Sequence, residues 1–158
     1  MASQVKPIPD GYHSLTPYIS VKGAAEALAF YERAFGAKVV YRLDMPDGRV
    51  GHAEIQIGDS RLMLADEMPE MPDAVALSPK ALGGTTFGLN LYVPDVDAAF
   101  ERAVRAGAAV RRPLATQFYG DRSGTVIDPF GHAWTVSSHV EDVSPEEIER
   151  RMAAMPTG

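Results

Sequence analysis

The chain repeats one pattern of apolar and polar positions in its two halves. In the first half, apolar and polar residues alternate from Leu15 to Val21, and apolar residues then recur at helical spacing as far as Phe35, before Gly36. Alternation is typical of a half-buried strand, and a spacing of three or four is typical of a helix with one buried stripe. Residues 90–108 repeat the order of strand, helix and glycine. The pattern therefore predicts two copies of one module.

Three more strands are predicted after the helix of each half. In the first half they span 38–45, 50–57 and 60–65, and Asp47-Gly48 is the hairpin turn between the first two. In the second half a strand at 85–93 and a helix at 95–106 precede strands at 109–117, 122–128 and 132–138. Ser144, followed by Pro145 and Glu147, predicts the start of a last helix.

These elements predict an α+β fold in a single domain made of tandem βαβββ modules. The first module covers about 12–66 and the second about 85–139. Residues 67–84 show no period and are predicted to be the linker. The C-terminal helix spans about 144–153, and residues 6–11, with two prolines, are predicted to form an extended arm lying on the domain.

Composition narrows the classes of function. The 158 residues include 15 Lys and Arg, 21 Asp and Glu and no cysteine, which gives a net charge of −6. We therefore expect neither nucleic acid nor a membrane among the partners, and disulfides and thiolate chemistry are excluded. No continuous apolar run of membrane-spanning length is present, and the first residues lack the apolar core of a secretory signal, so we expect a cytoplasmic protein.

Several motifs resemble a known superfamily. They are Ala29-Phe30-Tyr31, Gly51-His52-Ala53-Glu54-Ile55, Phe118-Tyr119-Gly120-Asp121-Arg122-Ser123-Gly124 and Asp128-Pro129-Phe130-Gly131-His132. With the tandem modules they resemble the vicinal oxygen chelate superfamily, which contains glyoxalase I, bleomycin-resistance proteins and extradiol dioxygenases, and within it the PhnB-like branch. The resemblance implies that each module curls into a U, and that two modules, in one chain or across a homodimer, enclose a ligand cleft.

The resemblance also implies where a divalent metal would be held. In metal-dependent members, His and Glu ligands come from the first and fourth strands of each half, and the matching positions here are Thr16, Met63, Gly88 and Thr135. None is an imidazole or a carboxylate, so we predict no metal cofactor. The apolar residues that alternate with these positions are predicted to lie under the helices: Leu62, Leu64, Phe87, Leu89, Trp134 and Val136.

One strand offers three polar side chains on a single face. His52, Glu54 and Gln56 share one parity, opposite to the apolar residues between them. In one interpretation Glu54 is a general base and His52 is its partner or an acid. In the other, the three form a polar wall that bonds a neighbouring strand or faces water.

Two further sets of residues are candidates for ligand binding. Tyr18, Met63, Asn90 and Tyr92 lie on the cleft parity and would give an amphipathic lining, unless they pack between the two half-sheets. Phe118, Tyr119 and Arg122 lie in a loop-to-strand run at the mouth of the cleft. Arg122 would hold a carboxylate or phosphonate there, or else pair with Asp121 or Asp128.

The sequence leads to three hypotheses. The first is a metal-free small-molecule binding protein of the bleomycin-resistance type, with an unknown ligand. The second is a lyase, isomerase or dioxygenase-like enzyme, which uses either a divalent metal or Glu54 and His52 as acid and base. In the third the cleft is vestigial and the protein works through its dimer surface.

Overall fold

The structure, a computed structural model, describes residues 5–74 and 76–156. The chain forms two compact units, and it passes from the first to the second between Gly84 and Thr85. Each unit contains one four-stranded sheet, and in both the strands follow the order first, fourth, third, second. The first and fourth strands are parallel and the other pairs are antiparallel. This repeated topology confirms the predicted tandem βαβββ fold.

The first unit buries one face of its sheet under a long helix. That helix ends at Gly36, whose φ of 68° lies in the left-handed region. Ile55 and Leu64 of the sheet and Tyr31 of the helix are fully buried. The elements of this unit are β1 (Tyr18–Val21), α1 (Ala24–Phe35), β2 (Lys38–Asp44), β3 (Val50–Ile57), β4 (Ser60–Asp66) and α2 (Pro79–Leu82).

The second unit repeats the arrangement and adds a C-terminal helix. Its elements are β5 (Gly88–Tyr92), α3 (Val96–Ala106), β6 (Ala109–Thr116), β7 (Asp121–Ile127), β8 (Ala133–His139) and α4 (Pro145–Ala153). The Asp95 side chain accepts a hydrogen bond from the Ala98 N–H at 3.1 Å and caps α3. Ser144 caps α4 by accepting from the Glu147 N–H at 3.2 Å, which confirms the predicted start of that helix.

Each sheet has a face that the unit's own helix does not cover. In the second sheet, a side-chain carbon added at Gly124 would lie 2.5 Å from the ring of Phe100 in α3, so α3 packs directly on that strand. Val126, Trp134 and Val136 share this parity and are buried, as predicted for Trp134 and Val136. We call the opposite side of each sheet its open face.

Two predictions about this frame, the start of the first strand and the burial of Phe87, were wrong. The first strand begins at Tyr18 rather than Leu15, because Pro17 has no N–H to donate and contributes only its carbonyl, which accepts from Met63 N–H. Leu15 is 87% exposed. Phe87 precedes β5 and is 45% exposed instead of lying under a helix. The linker contains α2, which Ser78 caps by accepting from the Ala81 N–H.

Among the described helices, none combines the length and the apolar character that crossing a membrane requires.

Candidate functional site

The open face of the first sheet carries a chain of four hydrogen-bonded side chains. Tyr18 Oη lies 2.8 Å from His52 Nδ1, and His52 Nε2 lies 3.0 Å from Glu54 Oε1. The hydroxyl of Tyr12 donates to the other oxygen of Glu54. One neutral imidazole tautomer satisfies all of these contacts, with Nδ1 accepting from Tyr18 and Nε2–H donating to Glu54. Both predicted catalytic residues are therefore in one network.

The network is partly shielded from solvent. The side chains of His52 and Glu54 are 25% and 19% exposed. Burial raises the pKa of the Tyr18 phenol above 10.0, so Tyr18 stays protonated and available as a donor at neutral pH. This arrangement can relay a proton between Tyr18 and Glu54, but both Glu54 oxygens are occupied, and a substrate would have to displace Tyr12 or His52 to reach them.

Two details of this face were not foreseen. Tyr12 directly follows the predicted arm of residues 6–11, which lies on the sheet as expected: Arg61 donates to the Gly11 carbonyl at 3.3 Å, and its guanidinium lies over the Tyr12 ring. No sequence motif marked Tyr12. Gln56 turns away from the network and donates to the Gly58 carbonyl at 3.0 Å.

Met63 lies between the tyrosine and the carboxylate in the strand register. It pairs with Tyr18 across β1 and with Glu54 across β3. A small hollow of about 160 Å³ opens beside Tyr18, with Ser20, Ala65, Asp66 and Met68 in its wall. Tyr18 and Met63 thus share an amphipathic surface in the first unit, as a ligand-binding lining requires.

The second unit has a larger cavity on its open face. Its volume is about 450 Å³, within the range that small-molecule sites occupy. Asn90, Tyr92 and Tyr119 line it, so three of the predicted ligand-binding residues come together there. The rest of the wall consists of Gly88, Leu89, Arg112, Asp121, Thr135 and Ser137.

A second hydrogen-bonded chain runs along one side of this cavity. Tyr92 Oη donates to Asp121 Oδ2 at 2.6 Å, and His139 Nδ1 lies 2.8 Å from Asp121 Oδ1. The other His139 nitrogen lies 2.8 Å from the Asp142 carboxylate. Asp121 therefore has partners on both of its oxygens.

These contacts shift the ionisation of all three groups. Burial acts to raise the pKa of Asp121, but hydrogen bonds from Tyr92 and His139 outweigh it and hold that pKa below 3.8. The bond to Asp121 raises the pKa of Tyr92 above 10.0. Hydrogen bonds to Asp121 and then to Asp142 raise the pKa of His139 above 6.5. At neutral pH the cavity wall carries an ionised Asp121 beside a protonated Tyr92.

The remaining predicted residues lie outside this lining. Arg122 forms two hydrogen bonds, of 2.9 and 2.7 Å, to the carboxylate of Asp97 in α3. The alternative prediction, that Arg122 pairs with Asp121 or Asp128, was wrong. Asp121 accepts hydrogen bonds from Tyr92 and His139 instead. Asp128 instead accepts from the Trp134 indole at 2.9 Å.

Phe118 is held in place by the C-terminal helix. Its carbonyl accepts from Arg151 Nη1 at 3.1 Å, and its ring meets the Tyr119 ring edge to face, with centroids 5.3 Å apart. Arg151 also bonds Glu141 and Glu147. The helix therefore fixes the turn that brings Tyr119 to the cavity, a role that its charge pattern did not indicate.

Arg112 is the residue that the sequence analysis missed. It lies on β6, opposite Thr125 of β7, and its side chain reaches the cavity. Nothing in the sequence distinguishes it from Arg111. Irregular pairing on both sides of Arg112 sets its direction, so simple alternation along the strand could not have identified it.

The four positions at which the resemblance implies a metal do not suit one here. Thr16 precedes β1, Gly88 has no side chain, and Met63 offers only a thioether. The hydroxyl of Thr135 is engaged with that of Thr125 at 2.9 Å. Within residues 5–74 and 76–156, no three His, Asp or Glu side chains are arranged to hold a metal ion. This donor set does not fit the divalent metal that zinc-type or iron-type chemistry needs.

Comparison with known proteins agrees with this architecture. Residues 12–136 match the family model of the Glyoxalase/Bleomycin resistance protein/Dioxygenase superfamily. Over 158 residues the chain is 40% identical to Mb0911c of Mycobacterium bovis, with full coverage of both proteins.

Solved structures give the same result. TioX from Micromonospora sp. ML1 is 26% identical, with a TM-score of 0.64 over 81% of this chain and 99% of TioX. PA1353 from Pseudomonas aeruginosa is also 26% identical, with a TM-score of 0.63 over 82% of this chain and 99% of PA1353. The matched sequence and the repeated topology show that this chain belongs to the glyoxalase/bleomycin resistance protein/dioxygenase superfamily.

Proposed function

We propose that this protein binds a small organic ligand without a metal ion, as a cytoplasmic member of the PhnB-like branch. The observation that carries the proposal is the cavity of about 450 Å³ on the open face of the second sheet. Aromatic rings and hydrogen-bonding groups share its wall, which is the lining that orients drug-sized molecules. Tyr18 and Met63 provide a similar surface in the first unit.

The protein acts, in this proposal, by sequestering its ligand. Sequestration needs a shaped and partly apolar surface but no reactive centre. The four family metal positions supply no imidazole or carboxylate, which is consistent with binding alone.

Two measurements test this proposal. Protein expressed with Zn, Ni, Mn and Fe in the medium and then gel-filtered should contain far less than one metal per chain by elemental analysis. A thermal-shift screen of antibiotics and small organic acids should then find compounds that raise the melting temperature, because a ligand that binds only the folded state stabilises it. Stoichiometric metal, or no stabilising compound in the metal-free protein, would contradict the proposal.

The chain from Tyr18 through His52 to Glu54 favours a second candidate, a metal-free acid/base enzyme. The 3.0 Å contact between His52 and Glu54 and their partial burial are the features that a proton-transfer site requires. NMR spectra of a ligand from the screen, recorded over a day with wild-type protein, separate the two functions. An unchanged ligand supports binding, whereas a conversion that Glu54→Gln abolishes supports catalysis.

We propose further that the protein is a homodimer. Every residue of the edge strand β2 is exposed, and Val39, Tyr41 and Leu43 are each at least 50% exposed. An edge strand with exposed apolar side chains of this kind is a surface that a second chain can cover.

A further inference from the structure

The wall of the cavity in the second unit includes a cationic side chain, that of Arg112. No acidic partner balances its charge. Arg112 Nε lies 3.4 Å from the Thr125 hydroxyl, and Arg112 Nη2 lies 3.3 Å from the Ser123 hydroxyl. Both contacts are long and both partners are neutral. Among the residues that the structure describes, no carboxylate lies within ion-pair distance of this guanidinium, although Arg49, Arg122 and Arg151 each have one.

The acidic residue of the same cavity does not neutralise Arg112. Both Asp121 oxygens are committed, one to Tyr92 at 2.6 Å and one to His139 at 2.8 Å. A guanidinium presents five N–H donors, and two of them reach the hydroxyls of Thr125 and Ser123. The remaining donors suit the two parallel hydrogen bonds that a carboxylate forms with arginine.

The rest of the wall indicates what such an anion would be attached to. Leu89, Tyr92 and Tyr119 line the cavity with apolar surface and two phenol rings. Flat rings pack well against tyrosines, and this cavity is several times larger than a carboxylate alone. Because the protein has a net charge of −6, its overall field does not attract anions, and selection must come from local contacts.

We propose that this cavity binds a small organic acid with a flat apolar body, and that Arg112 anchors its carboxylate. This inference rests on the proposed binding function and names its ligand class. It replaces Arg122, whose guanidinium is held by Asp97, as the anion-binding residue.

Benzoate and its neutral analogue benzamide are the probes for this proposal, because they share a ring and differ in charge. Titration of ¹⁵N-labelled protein should shift the amide resonances of β5 and β8 with benzoate, at an affinity about tenfold or more above that for benzamide. Arg112→Gln should lose that preference for benzoate. Arg111→Gln, the neighbouring exposed arginine, is the matched control and should keep it.

One further variant and one competition measurement test the geometry and the apolar part of the site. Arg112→Lys retains the charge but not the forked geometry, so it should bind benzoate with an intermediate affinity. Inorganic phosphate should not displace benzoate at equal concentration, because it lacks the apolar body. Displacement by phosphate would mean a simple anion site and would overturn the ligand class.

Equal binding of benzoate and benzamide, or undiminished binding of benzoate by folded Arg112→Gln, would overturn the role of Arg112. So would the absence of any benzoate binding by the wild type. If neutral compounds nevertheless stabilise the protein in the thermal-shift screen, the binding function stands and only the ligand class is wrong. If nothing binds, both proposals fail.

Discussion

Single aspartates hold the turns that shape the two units. Asp66 accepts from the N–H groups of Gly23 and Ala24 with one oxygen and from Val50 N–H with the other, which ties the start of α1 to two strands. Asp128 plays a similar part in the last hairpin, where it accepts from the N–H groups of Phe130 and His132. His132 is 4% exposed and lies within this turn, the position that the tight Asp-Pro-Phe-Gly-His motif favours.

A glycine controls the turn that brings Tyr119 to the cavity. Gly120 has a φ of +101°, and a side-chain carbon there would overlap the Glu141 carbonyl oxygen. We expect Gly120→Ala to lower the free energy of unfolding by more than about 2 kcal/mol, because backbone strain and overlap add.

The matched control is Gly48→Ala. Its φ of +87° is similar, but nothing lies within 4 Å of the added carbon. It should lose only the strain, about 1–2 kcal/mol. Urea denaturation of the wild type and both variants gives the comparison, and equal losses would show that overlap at Gly120 is unimportant.

At the scale of elements, hydrogen bonds between ionisable side chains join β7, β8 and the segment after β8. His139 ends β8 and contacts Asp121, the first residue of β7, and Asp142 beyond the strand. The helix α4 buries no residue of its own, so polar contacts such as those of Arg151 hold it to the turn at Phe118. The wall of the cavity therefore depends on charge as well as on packing.

The raised pKa of His139 predicts a dependence of stability on pH. The stability that protonated His139 contributes is fully present below pH 6.5, the pKa of this group in the unfolded chain. It is lost as the pH rises through the higher pKa of the folded state. The wild type should therefore lose stability relative to His139→Gln as the pH is raised above 6.5. The lowered pKa of Asp121 acts at acidic pH. The stability that ionised Asp121 contributes is present above pH 3.8, the pKa in the unfolded chain, and is lost as the pH falls through the lower pKa of the folded state.

Urea midpoints of the wild type and His139→Gln, measured across this range of pH, give the difference. Parallel curves above pH 6.5 would contradict the link between His139 and the two carboxylates.

The helices and strands could largely be predicted from the sequence. The side-chain contacts on the open faces could be predicted only in part. Helices and strands depend on spacings within one segment, and the parity of His52, Glu54, Asn90 and Tyr92 followed from alternation. Side-chain partners depend on residues far apart in the chain. Tyr12 reaches Glu54 across 42 positions and Arg122 reaches Asp97 across 25, and no local pattern encodes either contact.

For the whole molecule, the two units repeat one topology and differ in their chemistry. The first carries a tyrosine–histidine–glutamate chain, and the second carries a cavity with an arginine. Such a difference is expected, because one scaffold can serve several chemistries. The net charge of −6 favours solubility of the protein.

The proposed homodimer is tested at this scale. Sedimentation velocity should give twice the chain mass, and Leu43→Lys on β2 should shift the protein towards the monomer, because it places a charge on an exposed apolar edge. Val104→Lys, at a partly exposed position of α3, is the control and should leave the mass unchanged. A monomeric wild type would contradict the proposal.

The repeat, the order of strands and helices and the caps follow from local sequence, because periodicity, proline and glycine act over a few residues. The absence of imidazoles and carboxylates from the four positions at which the resemblance implies a metal also follows from residue identity, since threonine, methionine and glycine cannot replace histidine and glutamate. Folding decided which side chains meet. The β-strand irregularities around Arg112 and the capture of Arg122 by Asp97 made one arginine, rather than the other, the cation of the cavity, and such choices depend on packing in three dimensions.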